Sequence, residues 1–197
     1  GTVVPGMVAR LCRKLAPGAP AVAAMSLLSL NAAPTVTAGA NQTAAEGSSV
    51  AVSATYTDAG SLDTHTGSIA WGDGTTTTTG VLNATAHTVS GSHTYPENGT
   101  YTVAFTVTDD ESATGTATLT VIVTNVAPTV TAGANQTAAE GASVAVSATY
   151  ADAGSQDTHT GSIAWGDGTT TTTGVLNATA HTVSGSHTYA ENGTYTV

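Results

Sequence analysis

An internal repeat limits the fold of this chain more than any other feature of its sequence. Residues 31–103 recur as residues 125–197, and five of the 73 aligned positions differ. The two copies start 94 residues apart, which is too long for ankyrin or propeller repeats and matches a β-sandwich domain of about 100 residues. The sequence therefore predicts separate modules in series and not the turns of one solenoid.

The repeat also predicts where the modules begin and end. We expect a complete first module at residues 33–124 and a second module at residues 125–197, which stops before the equivalents of its last strands. Because the second copy breaks off within the repeat and the chain starts at Gly1, we expect the sequence to be part of a longer protein.

Residues 1–32 precede the repeats and stay unassigned. Arg10, Arg13 and Lys14 followed by the apolar run at residues 21–30 resemble a secretory signal. A linker or the end of a preceding domain is an equal alternative, because Leu27 and Leu28 stand one repeat length before Val121 and Ile122.

Alternation of apolar and polar residues predicts β-strands at residues 49–56, 101–108 and 116–123. Val, Phe and Leu fall on one face of these segments while Thr and Ser fall on the other, as in antiparallel sheets with one buried face. Shorter candidates bring the total to about seven strands, and these are residues 35–38, 67–71, 75–82 and 86–93. The sequence predicts an all-β sandwich.

The charges are distributed unevenly along the chain. From residue 31 onward there are 13 carboxylates and no Lys or Arg, which excludes nucleic acid as a partner. We therefore expect metal ions, backbone N–H groups or water to satisfy these carboxylates. The alternative is that the negative charge serves only to keep the protein soluble. Cys12 lies outside the repeats, so no disulfide can form within them. No apolar stretch approaches the roughly 18 residues of a membrane helix.

Two short segments in each repeat resemble the signature of the PKD (polycystic kidney disease) domain. The first segment is a Trp-Gly-Asp-Gly turn, and the second carries a His and two Tyr residues before a Thr- and Val-rich strand. In the first copy these residues are Trp71, Gly72, Asp73, Gly74, His93, Tyr95 and Tyr101, and in the second copy Trp165, Gly166, Asp167, Gly168, His187, Tyr189 and Tyr195.

The resemblance implies an immunoglobulin-like sandwich, repeated in tandem, in an exported protein that is secreted or held at the cell surface. It implies a non-catalytic spacer or adhesive module, with neighbouring repeats of the chain and extracellular protein or polysaccharide as partners. The alternative is an accessory module of a secreted enzyme that degrades polysaccharide or protein.

The residue types of the turn have structural roles of their own. Trp71 is the largest apolar side chain of the repeat, and we expect it to pack between the sheets. Gly72 and Gly74 permit a tight reversal, while Asp73 accepts backbone N–H groups in an Asx turn. Tyr101 is expected to tie down a neighbouring loop through its hydroxyl, as in a tyrosine corner.

Three histidines per repeat suggest, at first reading, a catalytic or transition-metal site. They are His65, His87 and His93, repeated as His159, His181 and His187. The chain has no H-E-x-x-H or G-x-S-x-G motif, so the sequence supplies neither the metal site nor the nucleophile that catalysis needs. We expect His93 to form a hydrogen bond at a strand end, and we expect no enzymatic activity.

Calcium is the cofactor that best fits the ligands in the sequence, because carboxylate oxygens are abundant. One candidate cluster is Asp109, Asp110 and Glu111 in the turn before the last strand, and the other is Asp58 with Asp63 in the loop before Trp71. Neither has EF-hand spacing, so a solvated acidic turn is the alternative.

Overall fold

The computed structural model describes residues 31–60 and 62–197, and all of their regular structure is β-strand. This confirms the all-β prediction, whereas the signal and linker hypotheses for residues 1–30 concern residues outside the described part. The chain forms two compact units, one centred on residues 50–93 and 100–121 and the other on residues 122–197. Within the described residues, no helix is long and apolar enough to span a membrane.

The first repeat contains nine strands in two sheets. In chain order they are β1 (Thr35–Ala38), β2 (Gln42–Ala45), β3 (Ser49–Thr57), β4 (His65–Ala70), β5 (Thr78–Thr79), β6 (Val81–Asn83), β7 (Thr88–Thr94), β8 (Gly99–Asp109) and β9 (Thr114–Thr124). One sheet has the order β1-β3-β7-β6 and the other β2-β9-β8-β4-β5. The immunoglobulin-like sandwich is therefore confirmed.

The two sheets bury the apolar face that the alternation predicted. Along β3 every second residue is buried, and the residues between them are exposed. The facing sheet contributes inward side chains from β4, β8 and β9, among which Ile69, Phe105 and Val121 are fully buried. Burial of these alternating side chains stabilises the module, at about 25 cal/mol for each Å² of apolar surface removed from water.

The second repeat contains six strands. They are β10 (Thr129–Ala132), β11 (Ser143–Ala151), β12 (Ser162–Ile163), β13 (Thr172–Thr173), β14 (Val175–Asn177) and β15 (Thr182–Thr188). The sheet β10-β11-β15-β14 has the strand order of β1-β3-β7-β6 in the first repeat, and the register is the same. The other sheet consists of β12 and β13 alone.

The middle of the repeat differs from the sequence prediction. The strand predicted at residues 75–82 is two short strands on either side of Gly80, and they belong to different sheets. Gly80 donates its N–H to the Gly67 carbonyl at 2.9 Å, and a Cβ at Gly80 would lie 2.4 Å from Val89 Cγ2. The chain therefore changes sheets at a position with no room for a side chain.

Candidate functional site

The Trp-Gly-Asp-Gly turn follows β4 and is closed by specific contacts. Trp71 is 1% exposed, and its indole Nε1 donates a hydrogen bond to Thr78 Oγ1 at 3.0 Å. Gly72 and Gly74 both have a φ of 82°, in the region that residues with a Cβ rarely adopt. A Cβ at Gly72 would lie 2.4 Å from the Thr102 carbonyl oxygen. At Gly72, glycine is thus required both by the positive φ and by the lack of room for a Cβ.

Asp73 joins this turn to strand β7. Its Oδ1 accepts the Thr75 N–H at 3.1 Å, which is the Asx-turn geometry expected from the sequence, and also the Thr75 hydroxyl at 2.5 Å. The other oxygen, Oδ2, lies 2.7 Å from His93 Nε2. The His93 ring stacks on Trp71 with the ring centroids 4.9 Å apart. We call Trp71, Asp73 and His93, with their counterparts Trp165, Asp167 and His187, the Trp–His–Asp clusters.

Hydrogen bonds keep the carboxylates of both clusters ionised. Burial acts to raise the pKa of Asp73, but the hydrogen bonds from Thr75 and His93 outweigh it, and the pKa lies below its ordinary value. The pKa of Asp167 falls to about 2, chiefly because the Thr169 hydroxyl donates to it, with a further contribution from His187. At neutral pH both side chains are acceptors and not proton donors.

The second cluster has the same geometry as the first. His187 Nε2 lies 2.7 Å from Asp167 Oδ2, and the His187 ring stacks on Trp165 at 4.9 Å. Trp165 is 1% exposed and donates to Thr172 Oγ1 at 2.9 Å. Since each cluster is assembled within one stretch of the repeat, it forms in both copies despite their different strand numbers.

A second His–Asp pair in each repeat corrects the prediction about the carboxylates. His65 Nε2 lies 2.8 Å from Asp58 Oδ2, and His159 Nε2 lies 2.7 Å from Asp152 Oδ2. With the two pairs of the Trp–His–Asp clusters, four carboxylates contact histidine side chains. The expectation that only metal, backbone or water would satisfy them was wrong, because it considered Lys and Arg as the only side-chain partners.

The calcium candidates are divided by the fold. Asp63, Asp110 and Glu111 each place an oxygen within 4.8 Å of the others, so two residues of the first predicted cluster join one residue of the second. Asp58 instead pairs with His65. The three gathered oxygens match calcium in ligand type and supply part of the six to eight ligands that it takes.

Asp109 has a structural role at the end of β8. Its side chain is buried and accepts hydrogen bonds at 2.8 Å from Asn31 Nδ2 and from the Ala113 N–H. The bond from Ala113 closes the turn between β8 and β9, and the bond from Asn31 connects the start of the repeat to that turn. Asp109 therefore does not belong to the group formed by Asp63, Asp110 and Glu111.

The tyrosines of the motif pack and donate hydrogen bonds. Tyr195 donates its hydroxyl to the Glu191 carbonyl at 2.9 Å, four residues upstream, as a tyrosine corner requires. Tyr189 stacks on Tyr195 and donates to the Trp165 carbonyl at 2.9 Å. In the first repeat, Tyr95 is buried and Tyr101 is half-buried.

Sequence reasoning missed one buried acidic residue. Glu46 is 2% exposed, and its Oε2 accepts the Asn98 N–H at 2.9 Å. No local pattern marks it, because Asn98 is 52 positions away. A buried carboxylate of this kind becomes visible only when the chain is folded.

Comparison with known proteins agrees with these features. The family model for the PKD domain matches residues 31–123 and 125–197, which is most of the chain. The chain belongs to the PKD domain family. Both repeats of this PKD chain carry the Trp–His–Asp cluster. No curated protein matches the chain.

Several solved PKD domains are similar to one repeat of the chain. The PKD domain of an M14-like peptidase from a Thermoplasmatales archaeon is 30% identical, with 47% of this chain and 97% of that chain covered and a TM-score of 0.39. The PKD1 domain of Vibrio anguillarum Epp is 27% identical, with 47% and 95% covered and a TM-score of 0.33. The PKD1 domain of the Vibrio cholerae metalloprotease PrtV is 23% identical, with 47% and 98% covered and a TM-score of 0.31.

Proposed function

We propose that the PKD modules at residues 33–124 and 125–197 are non-catalytic structural units of an exported or cell-surface protein. They act as spacers that separate other parts of that protein. The observation that carries this proposal is the Trp–His–Asp cluster, which occurs twice with the same contacts and joins a turn to a strand inside the module.

We assign the histidines of the clusters a supporting role in place of a catalytic one. His93 has its Nε2 on the Asp73 carboxylate and one ring face on Trp71. A catalytic histidine needs a nitrogen directed at a nucleophile or substrate. Because His187 repeats the arrangement with Asp167, the same argument applies to both modules.

The positions of the aromatic rings favour a spacer over a polysaccharide-binding module. Sugar-binding platforms need aromatic faces at the surface, because pyranose rings stack on them. The five aromatic residues of the first repeat are Tyr56, Trp71, Tyr95, Tyr101 and Phe105, of which four are buried and Tyr101 is half-buried. Adhesion, where it occurs, would then depend on weak contacts multiplied by copy number.

Single-molecule force spectroscopy on the full chain tests the spacer role. The first repeat is expected to resist extension and to unfold in one step that releases about 300 Å of chain, from roughly 3.3–3.6 Å per extended residue. Extension of the first repeat without a force peak would contradict a load-bearing role. The Asp73→Asn variant is expected to unfold at lower force, with the exposed Thr102→Ala as its matched control.

Assays of the intact chain separate the spacer from the accessory-module alternative. We expect no hydrolysis of casein or of soluble polysaccharides above buffer, and no retention on insoluble cellulose or chitin. Retention on one of these polymers would support the accessory module of a secreted hydrolase in place of the spacer.

Calcium binding stays a prediction, located at Asp63, Asp110 and Glu111. A cation that binds only the folded chain raises its melting temperature, since ligand binding and folding are coupled. Calorimetry in calcium and in chelator measures this, with Asp110→Asn/Glu111→Gln as the variant that should lose the effect. An unchanged melting temperature in the parent chain would remove the hypothesis.

A further inference from the structure

Asn98 lies directly before strand β8 and is followed by Gly99. It is the one asparagine at residues 31–124 that precedes glycine, and the pair recurs as Asn192–Gly193. The Asn98 side chain is exposed. Its backbone N–H is donated to Glu46 Oε2 at 2.9 Å, but within the part of the chain that the structure describes its side-chain amide has no hydrogen-bond partner. The carboxamide can therefore turn toward the peptide bond that follows it.

The residue after Asn98 permits a close approach to this carboxamide. Gly99 has no Cβ, so its backbone nitrogen can reach the Asn98 Cγ with little steric hindrance. Gly99 is also the first residue of β8. The ends of a strand open more readily than its centre, which frees this nitrogen from time to time.

We propose that Asn98 deamidates spontaneously through a succinimide, and that the product weakens the start of β8. The Gly99 nitrogen bonds to Asn98 Cγ, the Cγ–Nδ2 bond breaks, and ammonia leaves with the proton of the Gly99 amide. Water then opens the ring at either carbonyl and gives aspartate, or isoaspartate in which the main chain runs through Cγ. Water is the only co-reactant, and no atom changes its oxidation state. The proposal assigns a modification site and does not depend on the spacer role.

Asn83 provides an internal comparison, since its side chain is exposed as well. Its Oδ1 accepts the N–H groups of Thr85 at 3.1 Å and of Ala86 at 2.9 Å. The next residue is Ala84, whose Cβ hinders the attacking nitrogen. Asn83 is therefore both held by hydrogen bonds and followed by a less accessible nitrogen.

Asp73 also precedes a glycine, and the same ring closure would convert it to isoaspartate. Its Oδ1 accepts the Thr75 N–H, and its Oδ2 lies 2.7 Å from His93 Nε2. These bonds fix the side chain, and the lowered pKa keeps it ionised, so that its negative charge repels a nucleophile. The Trp–His–Asp cluster thus protects its own Asp–Gly pair, whereas the Asn98 side chain has no such restraint.

The product lies beside a buried carboxylate. Glu46 is 2% exposed and accepts the Asn98 N–H. Deamidation adds a negative charge at residue 98, and like charges repel strongly where water is excluded. The isoaspartyl form also adds one carbon to the main chain directly before β8. Both changes loosen the attachment of the β7–β8 loop to Glu46.

Mass spectrometry of the full chain, held at mildly alkaline pH over days to weeks, tests the proposal. We expect the peptic fragment with Asn98 to gain the mass difference between an amide and a carboxyl group, with isoaspartate identified by electron-transfer fragmentation. Pro96 in place of Ala190 distinguishes this fragment from its copy in the second repeat. The fragment with Asn83 should keep its mass, and Asp73 should stay in the ordinary aspartyl form.

Two variants and one control locate the chemistry. Gly99→Ala should slow the mass gain at residue 98 by about tenfold or more, because a Cβ hinders the attacking nitrogen. Asn98→Gln should abolish it, since the longer side chain does not close the same ring, and the exposed Thr102→Ala should leave it unchanged. The Trp71 indole signal in NMR spectra shows that each variant is folded. No gain at residue 98, an equal gain in Gly99→Ala, or an equal gain at Asn83 would overturn the proposal.

Two further measurements separate the role of the fold from that of the dipeptide. The folded chain should react at Asn98 at no less than about a tenth of its rate in urea, and a slower reaction would show that the fold holds this side chain. Deamidated chain, separated by ion exchange through its added charge, should unfold in the first repeat at a lower urea concentration than the parent chain. Equal midpoints would overturn the predicted weakening of β8.

Discussion

Among the described residues the first repeat has nine strands over residues 35–124, whereas residues 125–197 have six, and five of the 73 aligned residues differ. The sheet β10-β11-β15-β14 forms as its counterpart does in the first repeat, because all of its strands lie in the shared sequence. The two repeats differ in the other sheet, which has five strands with β9 and β8 near its centre in the first repeat and two strands in the second. The four-stranded sheet is therefore built in both repeats from residues that the two copies share.

The neighbours of β8 and β9 also differ between the two repeats. Residues 136–139, the counterparts of β2, form no strand, since β2 pairs with β9 in the first repeat. Likewise β12 has two residues where β4 has six. Strand length at these positions thus depends on the partner strand and not on local sequence.

Among the variants that test the difference between the repeats, Phe105→Ala is expected to have the largest effect on stability. The ring is fully buried at the centre of the first repeat, so its removal should lower the free energy of unfolding of that repeat by about 3–5 kcal/mol. The second repeat should be unaffected. Urea unfolding followed by resolved NMR signals of each repeat measures both, with the exposed Thr102→Ala as control. Equal destabilisation of the two repeats would show that they unfold together.

Substitution of two matched valines, one in each repeat, is expected to change stability by a smaller amount. Val52→Ala should cost the first repeat about 2 kcal/mol of unfolding free energy, because two buried methyl groups are removed. Val146→Ala should cost the second repeat less than about 1 kcal/mol, since Val146 is half-buried. The same urea titrations measure both changes. Equal costs would mean that Val146 is buried as fully as Val52 in solution.

The smallest effect, and one expected in both repeats, concerns acid stability. The pKa of Asp73 and of Asp167 lies below the value of 3.8 that applies to the unfolded chain, and that of Asp167 is about 2. Each therefore stabilises the fold above pH 4 and loses that contribution as the pH falls toward 2. Thermal unfolding between pH 2 and 5 should show a falling melting temperature, flattened by Asp73→Asn in the first repeat and by Asp167→Asn in the second. A slope unchanged by both variants would contradict the role of the clusters.

Much of the sandwich follows from the sequence because its signals are local. Alternation located β3, β8 and β9 to within a few residues, and the positive φ of Gly72 and Gly74 agrees with the predicted reversal. The short strand β2 has no alternating apolar residues to reveal it. At Gly80 the Val89 side chain leaves no room for a Cβ, and no local pattern encodes this proximity.

The sequence by itself determined the repeat, the phase of each long strand and the turn that carries Trp71 and Asp73, because these depend on neighbouring residues. Only the tertiary structure decided that Asp73 meets His93, that Asp58 meets His65, and that Asp63 joins Asp110 and Glu111. These contacts join residues seven positions apart for Asp58 and His65 and twenty apart for Asp73 and His93, and the paired strands bring them within reach.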